Sequence, residues 1–142
     1  MTMAGERTLQ IGAQARQEMF EHCRREYPNE ACGVLAGRDG EVTHSFPIRN
    51  DAASPTWYEM SPADQLKTQK EIRRLGIEQL AVYHSHVATE AYPSRRDVER
   101  ATAVQDFFDG YYVLVTLKDP LPHARAFRIQ DGNVNEEPLV ET

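Results

Sequence analysis

The sequence predicts an α/β fold in which helices pack on one mixed β-sheet. Helical apolar spacing alternates with short apolar runs along the first part of the chain, and strand-like runs then follow one another to its end. An Asp131-Gly132 dipeptide, typical of a tight hairpin, separates the last two runs. The resulting order, α-β-β-α-β-α-β-β-β, indicates one layered architecture without repeats.

A helix and a hairpin open the predicted fold. Apolar residues at four-residue spacing, typical of one helix face, continue until Pro28 ends the pattern. They are Ile11, Ala15, Met19 and Cys23. The apolar run at 31–37 predicts a buried strand, and residues 41–50 predict its hairpin partner.

A second helix, a central strand and a third helix come next, after a loop-like segment. Residues 61–76 predict a helix, because Ser61 suits the N-cap, proline follows at the first helical position and Gly76 suits the end. The apolar run at 78–86 predicts a central strand. A loop of seven residues, VATEAYP, then leads to Ser94, where the third helix opens.

Three strands complete the predicted sheet. They cover residues 111–118, 123–130 and 133–140, and the last two are joined by the hairpin dipeptide.

Length and composition predict a single domain over residues 1–142, with 40% hydrophobic and 27% charged residues. The net charge of −6 argues against a nucleic-acid partner, because such proteins neutralise phosphates with Lys and Arg. The basic pairs at 24–25, 73–74 and 95–96 lie among acidic residues and are typical of solvated helix faces.

Apolar runs and cysteines indicate the compartment. No run approaches the ~20 residues of a membrane span, and the N-terminus has no apolar core like that of a secretory signal. We therefore expect a cytoplasmic protein without a membrane partner. Cys23 and Cys32 could form a bridge, but without a secretory signal we expect two reduced packing residues.

The stretch HSHVATEAYPSRRD carries the candidate chemistry. Residues two apart on a strand share a face, so His84 and His86 point the same way. Two imidazoles and the carboxylate of Asp97 would suit zinc and leave one position for water. Each pair of residues also has an interpretation without a metal. The histidines could be a solvated pair, and Ser94 could be a helix N-cap with an acid, Asp97, at the third helical position. Both interpretations hold if the cap aims Asp97 at the histidines.

This stretch and the upstream NEACGVLAG resemble the JAMM (MPN-plus) zinc metallopeptidases. The resemblance covers most of residues 9–130 and implies the family's cytidine-deaminase-like α/β/α sandwich. It implies one zinc ion held by His84, His86 and Asp97, with water completing the site. It further implies that Glu30 is the general acid/base and that Ser94 donates its hydroxyl to the oxyanion.

One position departs from the family pattern. Many members carry proline directly after the second histidine, where this chain has Val87, so we expect a more flexible loop exit with unchanged ligands.

Other residues receive plain interpretations. We expect structural or solvated roles for His22, His44 and His123, which lack suitably spaced partners. Trp57 and Tyr58 could line a peptide groove or simply pack.

The resemblance leads to two functional hypotheses. The first is a compact prokaryotic, Mec-type peptidase that cleaves after the C-terminal Gly-Gly of a ubiquitin-like sulfur-carrier protein and releases an amino acid such as cysteine. Its variant within the same class is an isopeptidase that removes such modifiers from lysines. The second is a non-catalytic MPN scaffold, which usually lacks ligands that are present here. A zinc deaminase is set aside, because His-x-Glu and Pro-Cys-x-x-Cys are both missing.

The sequence does not decide whether the protein forms a homodimer.

Overall fold

The computed structural model describes residues 8–142, which form eight strands and three helices. In chain order the elements are β1 Leu9–Ile11, α1 Ala13–Glu26, β2 Cys32–Arg38, β3 Glu41–Ile48, α2 Pro62–Leu75, β4 Glu78–His86, α3 Arg95–Ala103, β5 Tyr111–Thr116, β6 His123–Gln130, β7 Asn133–Glu137 and β8 Leu139–Glu141.

The strands form one mixed sheet in the order β7-β6-β5-β4-β2-β3-β1-β8. The central strand β4 pairs in parallel with β5 and antiparallel with β2. Because side chains alternate along a strand, β2 buries Leu35 with α1 on one face and Val34 near Ile72 of α2 on the other. α3 covers the second face farther along, where Ala101 packs near Leu114. The expected layered α/β arrangement is confirmed.

Local signals fix the predicted helix starts and turns. Ser61 and Ser94 cap α2 and α3 by accepting the backbone N–H three residues on. Gly76 ends α2 with a positive φ of 66°. Asp131 and Gly132 have φ values of 52° and 79°, and they join β6 to β7 as the dipeptide predicted.

The two ends of the chain differ from prediction. Ile11 belongs to β1, and α1 begins only at Ala13. A strand of three residues placed before a helix can imitate helical spacing, because Ile11 and Ala15 are both buried. The final predicted strand, 133–140, is extended as expected but is divided in two, since Pro138 separates β7 from β8. Proline has no N–H for the ladder, and the chain crosses there to the opposite edge of the sheet, beside β1.

Within residues 8–142, no helix is long and apolar enough to cross a membrane.

Candidate metal centre

Three potential metal ligands converge at the end of β4. His84 and His86 share a face of the strand, and Asp97 in the first turn of α3 turns its Oδ2 atom toward both rings. Oδ2 lies 3.2 Å from Nε2 of His84 and 3.1 Å from Nε2 of His86, and the two nitrogens are 3.2 Å apart. All three side chains are at most 9% exposed.

This donor set fits a tetrahedral divalent metal such as zinc. Zinc accepts imidazole nitrogen and carboxylate oxygen, and bonds of about 2.0–2.1 Å in a tetrahedron separate neighbouring ligand atoms by about 3.3 Å. The three measured separations are close to that value. Three protein ligands with a fourth position for water are also typical of catalytic zinc sites.

The loop after β4 presents the correct nitrogen of His86. Its Nδ1 atom lies 2.9 Å from the carbonyl oxygen of Glu90. A carbonyl only accepts hydrogen bonds, so Nδ1 carries the proton in the neutral ring and Nε2 keeps a lone pair facing the cluster.

The cap of α3 positions Asp97. Its backbone N–H donates to Oγ of Ser94 at 3.1 Å, and the backbone N–H of Ser94 donates to Oδ2 of Asp97 at 2.8 Å. Burial alone would raise the pKa of Asp97, but its contacts with the two histidines and the hydrogen bond from the backbone N–H of Ser94 hold that pKa well below its usual range. The capping interpretation and the ligand geometry therefore describe the same carboxylate.

Strand register brings Glu30 to the histidines from more than fifty residues away. Cys32 of β2 is paired with His84 of β4, and the strands are antiparallel. Glu30 lies two residues before the start of β2 and His86 two residues after His84, so continuing the antiparallel register places Glu30 opposite His86. Hydrogen bonds on the neighbouring pair confirm this register, because Ser85 N–H donates to the carbonyl of Ala31 at 3.0 Å and Ala31 N–H donates to Oγ of Ser85 at 2.8 Å.

Glu30 is buried, with only 6% of the residue exposed. Its backbone is fixed on both sides, because its N–H donates to the carbonyl of Ser54 and its own carbonyl accepts from Nδ2 of Asn50. Burial raises the pKa of Glu30 to about 7, although His86 and two arginines, Arg100 and Arg96, act against that rise. A carboxyl with this pKa can both accept and return a proton near neutral pH.

Ser94 lies at the exposed rim of the same cluster. Because its oxygen already accepts the N–H of Asp97, its own hydroxyl hydrogen stays available for an acceptor outside the chain.

Comparison with known proteins agrees with this geometry. A family profile described as prokaryotic homologs of the JAB domain matches residues 12–130. The chain belongs to this prokaryotic JAB family. The JAMM resemblance of the sequence and the expected fold are thereby confirmed.

Two named relatives and one solved structure are similar to this chain. The CysO-cysteine peptidase of Mycobacterium tuberculosis is 44% identical over 92% of this chain and 89% of its own length. A probable TtuB-protein conjugate cleaving protease of Thermus thermophilus is 42% identical over 60% of this chain and 57% of its own. A solution structure of a Desulfitobacterium hafniense protein, 34% identical, superposes with a TM-score of 0.83 and covers 94% of this chain and 92% of the other.

Sequence reasoning missed Arg100 and Ser85, which support the site, and considered Tyr58 only for a peptide groove or for packing. The ring of Tyr58 stacks on His84 with centroids 4.5 Å apart, and burial raises the pKa of its hydroxyl. Arg100 of α3 donates to the carbonyl of Tyr58 at 2.8 Å. Ser85 fixes the backbone beside Glu30 from the opposite face of β4. The alternation along β4 shows that Ser85 points away from the histidines, but no local pattern identifies its partner.

The other histidines and the two cysteines have the structural or solvated positions expected for them. His22 is buried with Nδ1 2.6 Å from the hydroxyl of Tyr83, and His44 stacks on Phe46. His123 is exposed at the start of β6. Cys23 and Cys32 are free and buried, as expected.

Proposed function

We propose that this chain is a zinc peptidase that hydrolyses the amide bond after the C-terminal Gly-Gly of a ubiquitin-like sulfur-carrier protein and releases an attached amino acid such as cysteine. The observation that carries the proposal is the convergence of His84, His86 and Asp97 beside the buried carboxyl of Glu30. The 44% identical relative named CysO-cysteine peptidase supports this choice of substrate.

His84, His86 and Asp97 would hold the metal. Bound zinc would lower the pKa of water toward about 7 and polarise the amide carbonyl. The chain's own contribution is a rigid donor set: the Glu90 carbonyl orients His86, and the backbone N–H of Ser94 orients Asp97.

Glu30 would carry the proton. Its ionised carboxylate takes a proton from the attacking water, and the resulting carboxylic acid gives it to the leaving amine. A pKa raised to about 7 suits both steps, because neither protonation state is strongly favoured at neutral pH. The backbone bonds to Ser54 and Asn50 keep this carboxyl beside His86.

Ser94 would stabilise the oxyanion. Its oxygen accepts a hydrogen bond in the helix cap, and among residues 8–142 its hydroxyl hydrogen has no acceptor. Loss of such a donor typically lowers turnover by about 10²–10³-fold.

A second candidate is an isopeptidase that cleaves modifiers from lysines. The Thermus relative, whose name describes cleavage of protein conjugates, favours it. Both candidates use the same site. They differ in the group whose amine is bonded to the Gly-Gly carbonyl, which is a free amino acid in the first and a lysine side chain in the second.

The test combines zinc content with turnover on two substrates: a ubiquitin-like carrier ending in Gly-Gly-Cys, and the same carrier linked through Gly-Gly to a lysine side chain. We expect zinc in the purified protein and faster cleavage of the first substrate. Faster cleavage of the second would favour the isopeptidase, and a metal-free, inactive protein would favour the scaffold.

Variants assign the roles separately. Glu30→Gln should keep zinc and lose activity, whereas His84→Ala should lose both. His123→Ala is the matched control, since this histidine is exposed at the start of β6, and it should behave like the parent. A Glu30→Gln protein without zinc would contradict the assignment of Glu30.

A further inference from the structure

Two arginines of α3 lie on one tryptophan beside the metal ligands. Arg96 and Arg100 are four residues apart and therefore share a helix face. Their guanidinium carbons lie 3.6 Å and 3.8 Å from the ring centroid of Trp57. We call these three residues the arginine stack. The sequence predicted only a solvated face for the 95–96 pair.

Within the part of the chain that the structure describes, only one of the two cations has a carboxylate partner. Arg100 lies 3.1 Å from Oε1 of Glu59, which also accepts from the indole N–H of Trp57. Among the described residues, Arg96 has no ion pair, and it is exposed. Its charge is thus held over the face of an aromatic ring, and within residues 8–142 no acceptor occupies its N–H donors.

The arginine stack is continuous with the candidate centre. Arg100 lies over the ring of Tyr58 at 4.3 Å, and Tyr58 stacks on His84. Arg96 directly precedes Asp97 on α3. Both arginines also act electrostatically on the Glu30 carboxyl, where they oppose the effect of burial.

We propose that Arg96 binds the free α-carboxylate of the amino acid that the enzyme releases. The inference rests on the proposed peptidase function and names the chemical class of its leaving group. Guanidinium N–H groups match a carboxylate with two parallel hydrogen bonds, and the contact with the Trp57 ring restricts where the Arg96 guanidinium lies.

The position of Glu30 explains why this carboxylate would be within reach. Glu30 protonates the leaving amine, so that nitrogen lies beside Glu30 and in the field of both arginines. In an α-amino acid the carboxylate carbon is only about 2.5 Å from the nitrogen. In a lysine conjugate the leaving nitrogen is at the far end of the side chain and the carboxyl group of that lysine is an uncharged peptide. Arg96 would therefore favour aminoacyl adducts over lysine conjugates.

The experiment compares two carriers that differ by one charge. One ends in Gly-Gly-Cys with a free carboxylate, and the other ends in the same residue as its carboxamide, so the thiol is common to both. Each is cleaved by the zinc-loaded parent, by Arg96→Gln and by Arg96→Lys. Arg95→Gln is the matched control, because Arg95 is the preceding residue, 93% exposed in its side chain, and paired with Glu99. Zinc content and thermal unfolding are measured for every variant.

We expect the parent and Arg95→Gln to cleave the acid about tenfold to a hundredfold more efficiently than the amide, as kcat/KM, from one charge-assisted contact. Arg96→Gln should lose this preference because it cleaves the acid more slowly, while its cleavage of the amide and its zinc content stay unchanged. Arg96→Lys should show an intermediate preference. Equal cleavage of acid and amide by the parent, or a preference that survives in Arg96→Gln, would overturn the inference and leave the peptidase function standing. Cleavage of neither carrier by the parent would refute the peptidase function and this inference together.

Discussion

Ser85 offers a direct test of how the fold holds Glu30. Its side chain leaves β4 on the face opposite the histidines and is completely buried. Oγ accepts the backbone N–H of Ala31 at 2.8 Å, and Ala31 directly follows Glu30. The substitution Ser85→Ala removes this acceptor without adding bulk.

The structure sets the size of the effect. Ala31 is 1% exposed, so its N–H would be left without water or a protein partner, which costs about 1–3 kcal/mol. Unfolding entropy of roughly 2.1 cal/mol/K per residue gives about 0.3 kcal/mol/K for 142 residues. The expected fall in Tm is therefore about 3–10 °C. A loosened Glu30 should also lower kcat by about tenfold to a hundredfold.

Calorimetry, zinc analysis and steady-state kinetics test this prediction together. Zinc content should match the parent, because the ligands lie on the other face of the strand. Ser54→Ala is the control: its backbone carbonyl, which accepts from Glu30, remains, and its hydroxyl is bonded only in an exposed turn. A Ser85→Ala protein with unchanged Tm would refute the reasoning, as would equal losses in Ser54→Ala.

Three further predictions concern packing and pH. Gly33→Ala would place a Cβ 2.2 Å from the Tyr83 ring, so we expect a loss of about 1–3 kcal/mol in urea unfolding; unchanged stability would contradict this close approach. Burial lowers the pKa of His22 from 6.5 to about 4, so its neutral form stabilises the fold above pH 6.5 and this contribution is lost as pH falls toward 4. His22→Gln should therefore lose less stability than the parent over that range, and parallel pH profiles would argue against it. Burial raises the pKa of Glu30 from 4.5 to about 7, so its contribution is present below pH 4.5 and lost as pH rises through 7. In metal-free protein, Glu30→Gln should be more stable than the parent at pH 8 and equal to it near pH 4; a constant difference would disprove the assigned cause.

Several parts of the site follow from short-range signals in the sequence. The two-residue period of a strand puts His84 and His86 on one face, and the capping pattern puts Asp97 in the first turn of α3. Both depend on residues within a few positions of each other. The hairpin at Asp131-Gly132 was predictable for the same reason, because backbone conformation at a tight turn is set by the turn residues themselves.

Short segments at the ends of the chain could not be predicted in this way. A strand of three residues such as β1 carries too little periodicity to be distinguished from the start of α1. It is stabilised by two partners, β3 and β8, that lie far from it in the sequence. Pro138 signals a break, but only the strand order of the folded sheet shows that β8 crosses to the other edge.

The sequence by itself determined which side chains could bind a metal and how they are grouped along the chain, since strand alternation and helix capping are local effects. Tertiary structure decided which distant residues meet them. The register of β2 on β4 places Glu30 opposite His86, and the packing of α3 sets Arg96 and Arg100 on Trp57. Those contacts depend on how whole elements pair and pack, and no run of neighbouring residues encodes that.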